Sequence, residues 1–161
     1  MELTVRKMGA GDIQQVQNVA IVSWNATYDG IIPIDFQERF LQSAYSDEMM
    51  LKRLERSYLY VAEMNGKIVG FANFSFVSEE GEVELSAIYL YPENQGKGIG
   101  SALLQEGINN SHGVKQVFIN VKKENVTGRT FYEAKKFEVV TEFDDNYDGH
   151  IRKTVRMALK V

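Results

Sequence analysis

Leu90-Tyr91-Pro92-Glu93-Asn94-Gln95-Gly96-Lys97-Gly98-Ile99-Gly100-Ser101 is the stretch on which the reading of this chain turns. It begins at the end of a predicted strand, Val83 to Tyr91, in which Val83, Leu85, Ala87, Tyr89 and Tyr91 alternate onto one face. Pro92 has no N–H for a ladder and stops it. Three glycines then lead into a helix predicted over about Ile99 to Asn110. Glycines lack Cβ atoms and let backbone N–H groups turn toward an anion, and a helix N-terminus adds its partial positive charge. The physical reading is a phosphate site. A P-loop would need Ser or Thr after Lys97 to meet magnesium, and none is there. A dinucleotide fingerprint needs G-x-G-x-x-G, whereas this segment runs G-x-G-x-G, and the next strand ends in Asn120-Val121 without an acid for a ribose. A turn that merely starts a helix is the remaining, non-functional reading.

Working outward, Tyr58 to Met64 and Lys67 to Val77 flank Asn65-Gly66, a dipeptide that favours the hairpin turn whose twist matches paired strands. With Val83 to Tyr91 after a turn at Glu79 to Gly81, three antiparallel strands in series are predicted. Upstream lie a short strand around Leu3 and Val5 and a helix from Asp12 to about Trp24, opened by a capping-box pattern of Asp12 and Gln15. Shorter helices are predicted at Asp35 to Leu41 and Asp47 to Glu55. Downstream come a strand, Val114 to Val121, a helix, Val126 to Lys135, and a strand pair, Phe137 to Phe143 and His150 to Leu159. The order implies an α+β fold with a mixed sheet. No repeat or linker divides residues 1–161, so one domain is expected.

The bulk composition excludes several chemistries. The chain has no cysteine and two histidines, which removes disulfides, thiolate catalysis and zinc-thiolate sites, and no metal is expected. The first twelve residues carry Glu2, Arg6 and Lys7 and no apolar run, so neither a secretory signal nor a membrane role is expected and a cytoplasmic location is. Between Gly96 and Lys136 seven Lys or Arg face three Glu, net +4, which leaves −8 for the rest of a chain with net charge −4. One part looks prepared for a polyanion and the rest for a cationic partner. A net positive balance confined to one segment of an acidic protein argues against nucleic acid.

Leu90-Tyr91-Pro92 followed by Gln95-Gly96-Lys97-Gly98-Ile99-Gly100 resembles the Q/R-x-x-G-x-G/A signature of the GNAT N-acetyltransferases. Asn125 to Phe137 is similar to a second stretch of that family, N-x-x-A-x-x-x-Y-E-x-x-G-F, with Gly128 where Ala is usual and Lys136 where Gly is usual. The resemblance covers nearly the whole chain and is closest to small-amine enzymes of the spermidine/spermine type. It implies a mostly antiparallel seven-stranded sheet with helices on both faces, and acetyl-CoA as acyl donor. Gln95, Gly96, Lys97, Gly98, Ile99, Gly100 and Ser101 would hold the pyrophosphate. Ile88, Tyr89 and Leu90, on a strand splayed from its neighbour, would bind the pantetheine arm, and Asn125 and Tyr132 would also meet the cofactor.

The resemblance also implies a catalytic role for Tyr132, which would protonate the leaving thiolate. Glu84, which precedes the centre of the cofactor strand and points opposite to Leu85, is the candidate to take the proton of an attacking amine, directly or through water. Glu84 reads equally as part of the acidic surface formed with Glu79, Glu80 and Glu82. Trp24 and Tyr28, with Glu84, are the candidates for binding a small-molecule amine, since aromatic faces attract cations. Trp24 reads also as a core anchor of the first helix. Within this reading the expected acceptor is a small cationic amine such as a polyamine. A protein N-terminus or lysine as acceptor, and a CoA-binding sensor that catalyses nothing, stay open, as do monomer and homodimer.

Overall fold

The computed structural model describes residues 2–147 and 149–161. Strand β1 (Leu3–Lys7) leads to helix α1 (Ile13–Tyr28), followed by α2 (Ile34–Ala44) and α3 (Asp47–Arg56). Strands β2 (Tyr58–Met64), β3 (Lys67–Phe74) and β4 (Glu82–Leu90) come next, then α4 (Ile99–Asn109), β5 (Gln116–Lys122), α5 (Val126–Ala134), β6 (Glu138–Tyr147) and β7 (His150–Lys160). The seven strands form one sheet in the order β1-β2-β3-β4-β5-β7-β6. Every neighbouring pair is antiparallel except β4 and β5. This is the α+β, mostly antiparallel seven-stranded architecture that the sequence predicts.

Local chemistry accounts for most boundaries. Asn65 and Gly66 both take positive φ, 52° and 80°, as a tight hairpin turn requires. The Ser46 hydroxyl accepts a hydrogen bond from the Met49 N–H at 3.2 Å and so caps α3. Helix α1 runs on past Trp24 to Tyr28, because nothing breaks it before Gly30, at φ 74°. Strand β6 extends beyond Phe143 into an acidic run because Asp144 and Asp145 stand opposite Lys153 and Arg152 on β7, opposite charges across a strand pair.

Two sequence expectations are corrected. Asp12 precedes α1 but makes no side-chain cap to it. Its carboxylate accepts both terminal nitrogens of Arg6, at 2.7 and 3.0 Å, and the Gly9 N–H at 2.8 Å. The Arg6 hydrogen bonds hold the Asp12 carboxyl below its ordinary value. Gln15 does not close a box either, since its amide oxygen accepts the Ile68 N–H at 3.1 Å. An ion pair closed by the β1–β2 register outcompetes a local cap.

The second correction concerns β4. Phe74 stands opposite Leu85 but Asn73 opposite Ala87, so Ser86 is an extra residue, a β-bulge. The Ser86 hydroxyl donates to the Asn73 carbonyl at 3.1 Å. The bulge reverses the alternation. Val83 and Leu85 pack with Leu103, Val117 and Tyr132 in one core, beneath α4 and α5. Ala87 and Tyr89 instead join the other core, with Val16, Val19, Trp24 and Phe71, beneath α1. The five alternating residues therefore do not share one face.

Candidate active site

The site is built around an interruption of the sheet. Strands β4 and β5 pair only from Glu82 to Glu84 against Gln116 to Phe118. Beyond that rung they splay, and the β5-facing edge of residues 86–90 carries backbone groups without a strand partner. The opening is a cleft of about 650 Å³ reached from both cores. Among the predicted residues, Trp24, Tyr28, Ile88, Tyr89, Leu90, Gln95, Gly96, Gly98, Gly100, Ser101, Asn125 and Tyr132 line it.

At one end, Gly96 and Gly98 adopt φ of 76° and 81°, and Gly98 is the residue preceding α4. L side chains rarely tolerate such angles. The turn directs the chain so that the first N–H groups of α4, which have no intrahelical acceptor, open toward the cleft. A Cβ at Gly98 would meet nothing within 4 Å, whereas one at Gly100 would press on the Phe131 ring at 3.1 Å. The need for glycine is thus conformational at 98 and steric at 100. Lys97 is exposed and lies outside the lining. The Ile99 side chain is buried in the core beneath α4, which leaves only its backbone to face a ligand.

Asn125 caps α5, its side-chain oxygen accepting the Gly128 N–H at 2.9 Å. A Cβ at position 128 would lie 2.6 Å from the Asn125 amide nitrogen, so the glycine lets that carboxamide fold over the first turn. Seven residues on, Tyr132 is 6% exposed and wedged edge-on between Phe131 and Phe137, each with a ring centroid 5.4 Å away. Burial holds its phenol far above the ordinary range, so it stays protonated and can act as a donor. Lys136, the family's usual glycine position, takes φ 76° in the turn out of α5.

The opposite wall comes from α1 and β4. Trp24 stacks on Phe40 at 4.5 Å and tilts against Tyr28 at 4.5 Å. Its indole N–H donates to the Tyr89 hydroxyl at 3.0 Å, and burial raises the Tyr89 phenol. Trp24 is therefore a core residue and a cleft residue at once. Glu84 stands apart. Its carboxylate is bound by Arg156, with one contact at 3.3 Å, and it does not line the cleft. Arg156 also donates to Asn120 at 2.9 Å and covers the Phe118 ring at 4.5 Å.

Sequence reasoning missed Lys122 as part of this wall and counted it with the charge for a polyanion. It lies at the end of β5, 7% exposed, with its Nζ 6.0 Å from the Trp24 ring centroid. Burial pushes its ammonium down to about 8. The signal available was period two: Phe118, Asn120 and Lys122 alternate with the core residues Val117, Ile119 and Val121.

Comparison with known proteins fits this geometry. Residues 23–137 match the acetyltransferase (GNAT) family. The chain is 34% identical over 151 residues to the uncharacterized N-acetyltransferase YuaI of Bacillus subtilis, covering 91% of this chain and 85% of that one. It is 30% identical over 147 residues to the spermidine N(1)-acetyltransferase of Thermoplasma acidophilum, covering 86% and 90%. The crystal structure of the PaiA N-acetyltransferase of Thermoplasma acidophilum with coenzyme A superposes over all of both chains with a TM-score of 0.85 and 27% identity. Among the described residues no helix is long and apolar enough to cross a membrane. The chain belongs to the GNAT family, and it is an N-acetyltransferase that uses acetyl-CoA as its acyl donor.

Proposed function

We propose that the acceptor is the primary amine of a small cationic alkylamine of the polyamine class, acetylated by direct attack on the thioester. The observation that carries this reading is the aromatic wall of Trp24, Tyr28 and Phe40, against which an alkylammonium, that of Lys122, already rests. Aromatic faces attract such cations through the ring quadrupole. The likeness to a spermidine N(1)-acetyltransferase supports the same class.

In this reading the Gln95–Ser101 turn holds the pyrophosphate of acetyl-CoA, and the free edge of β4 at Ile88 to Leu90 holds the pantetheine arm. That places the thioester in the splay. The amine enters from the Trp24 side as a free base. With Glu84 held by Arg156 outside the cleft, its proton passes to water. Attack on the carbonyl carbon develops an oxyanion that unpartnered backbone N–H groups of β4 can stabilise. The C–S bond then breaks and Tyr132 protonates the thiolate. The test is a screen of amines, amino acids and peptides with acetyl-CoA, read as free thiol. Aliphatic di- and polyamines are expected to give the highest kcat/KM; a clear preference for neutral or anionic acceptors, or for peptides, overturns the reading.

A further inference from the structure

We propose that Lys122 is itself an acceptor: the protein acetylates the Lys122 Nζ in cis, forming an amide within its own cleft. The inference rests on the reading that the thioester lies in the splay beside Ile88 and Tyr89. From the last common rung, Glu84 opposite Phe118, four residues along β5 reach Lys122 and four along β4 reach Ile88. At about 3.3 Å per residue both stand roughly 13 Å beyond the rung, and because Ser86 is bulged, Tyr89 falls near the same level. Lys122 therefore faces the thioester segment across the gap.

Its side is equally defined. The Nζ lies 6.0 Å from the Trp24 ring centroid, and Trp24 in turn holds the Tyr89 hydroxyl. This is the wall assigned to the incoming amine, while Tyr132 reaches the cleft from the other core. Chemically, a lysine side chain is a primary amine on a four-carbon arm, the kind of group the wall is proposed to select. Its state suits attack. Burial lowers the ammonium to about 8, Asp145 on β6 and Glu124 before α5 oppose that, and Arg152 on β7 reinforces it. About a tenth of the amine is unprotonated at pH 7, against fewer than about one in a thousand for an ordinary lysine.

The step balances without any further reagent. The Nζ lone pair forms a C–N bond to the thioester carbonyl carbon, the C–S bond breaks, and the thiolate takes the Tyr132 proton. Tyr132 recovers one of the two protons that the ammonium loses in becoming an amide N–H, and the other goes to solvent. The product has lost its charge and carries an acetyl group into the acceptor space, so acetylated chains turn over amines more slowly.

The experiment incubates the full chain with trideuteroacetyl-CoA and no amine, then reads intact mass and a peptide map. One label per chain is expected, at Lys122, with a rate per molecule independent of protein concentration. Tyr132→Phe slows that labelling about 100-fold or more, a polyamine slows it by competition, and Lys122→Arg, its fold verified by circular dichroism, is unlabelled there. A light acetyl group already on Lys122 in purified protein, absent from Tyr132→Phe protein, is the same outcome. Label spread over exposed lysines such as Lys97 at the rate of the unfolded chain overturns the proposal, and a Lys122 rate that rises with concentration overturns its cis character. No label at Lys122 in a preparation that releases thiol with an amine overturns it while leaving amine acetylation standing. If CoA binds but neither label nor thiol appears, both readings fall.

Discussion

The two sides of the cleft are made in different ways. The end proposed to hold the donor is backbone: a contiguous turn, Gln95 to Ser101, with two positive-φ glycines and the first N–H groups of α4. The wall proposed for the acceptor is side chain, with Trp24 from α1, Phe40 from α2, Tyr89 from β4 and Lys122 from β5. A backbone site needs only a short run of residues with the right conformational freedom. A side-chain site needs distant elements to be registered against each other, so its specificity can change one residue at a time while the donor end stays fixed.

The sharpest test of this division is Tyr132→Phe, which removes one hydroxyl between the two sides and keeps the ring that packs against Phe131 and Phe137. Turnover should fall about 10²- to 10⁴-fold with acetyl-CoA affinity unchanged by calorimetry. Normal turnover in single-turnover measurements would hand the proton to water or another group. Next is Gly98→Val, confined to the donor end. A β-branched residue at φ 81° is strained although space surrounds it. CoA affinity should drop at least about tenfold in a protein whose melting shows it folded, and undiminished affinity would break the idea that backbone conformation makes this end.

Lys122→Met probes the acceptor wall without reference to catalysis. The folded pKa of about 8 lies below the unfolded 10.5, so between these values the unfolded chain binds more protons and stability rises with pH. Below about pH 8 the burial penalty stands in full. The variant should therefore be more stable than the parent at pH 7 and lose that advantage toward pH 10.5, as read from urea midpoints; parallel curves would contradict it. The smallest effect belongs to a positive-φ residue that serves neither side. Lys136→Gly relieves φ 76° in the turn after α5 and should stabilise by about 0.5–1 kcal/mol, with kcat and both KM values unchanged.

The same division explains what was legible beforehand. The hairpin at Asn65-Gly66, the stop at Pro92 and the glycine turn are local, and each could be read from a few adjacent residues. The order and type of elements followed. What escaped depends on pairing. The bulge at Ser86 exists because of the register of β3 against β4, and Asp12 serves Arg6 because β1 reaches β2. Glu84 could be named as a carboxylate on the right strand, but not as the partner of Arg156, 72 positions away. Lys122 was visible as a charge and not as a wall.

Ser86 gives β4 a parity. Ahead of it, odd-numbered residues face the core under α4 and α5; after it, odd-numbered residues face the core under α1. Inserting a single residue between Ala87 and Ile88 would send Tyr89 to the donor compartment and bring Ile88 and Leu90 into the acceptor wall, swapping their contents without altering one side chain. Deleting Ser86 itself would only join Leu85 to Ala87 in a regular ladder and leave both walls as they are. Chain length between Ala87 and Gln95 is therefore constrained as tightly as any residue identity there. In this strand new acceptors have to be sought by substitution, and an alignment that slides β4 by one position compares the wrong compartments.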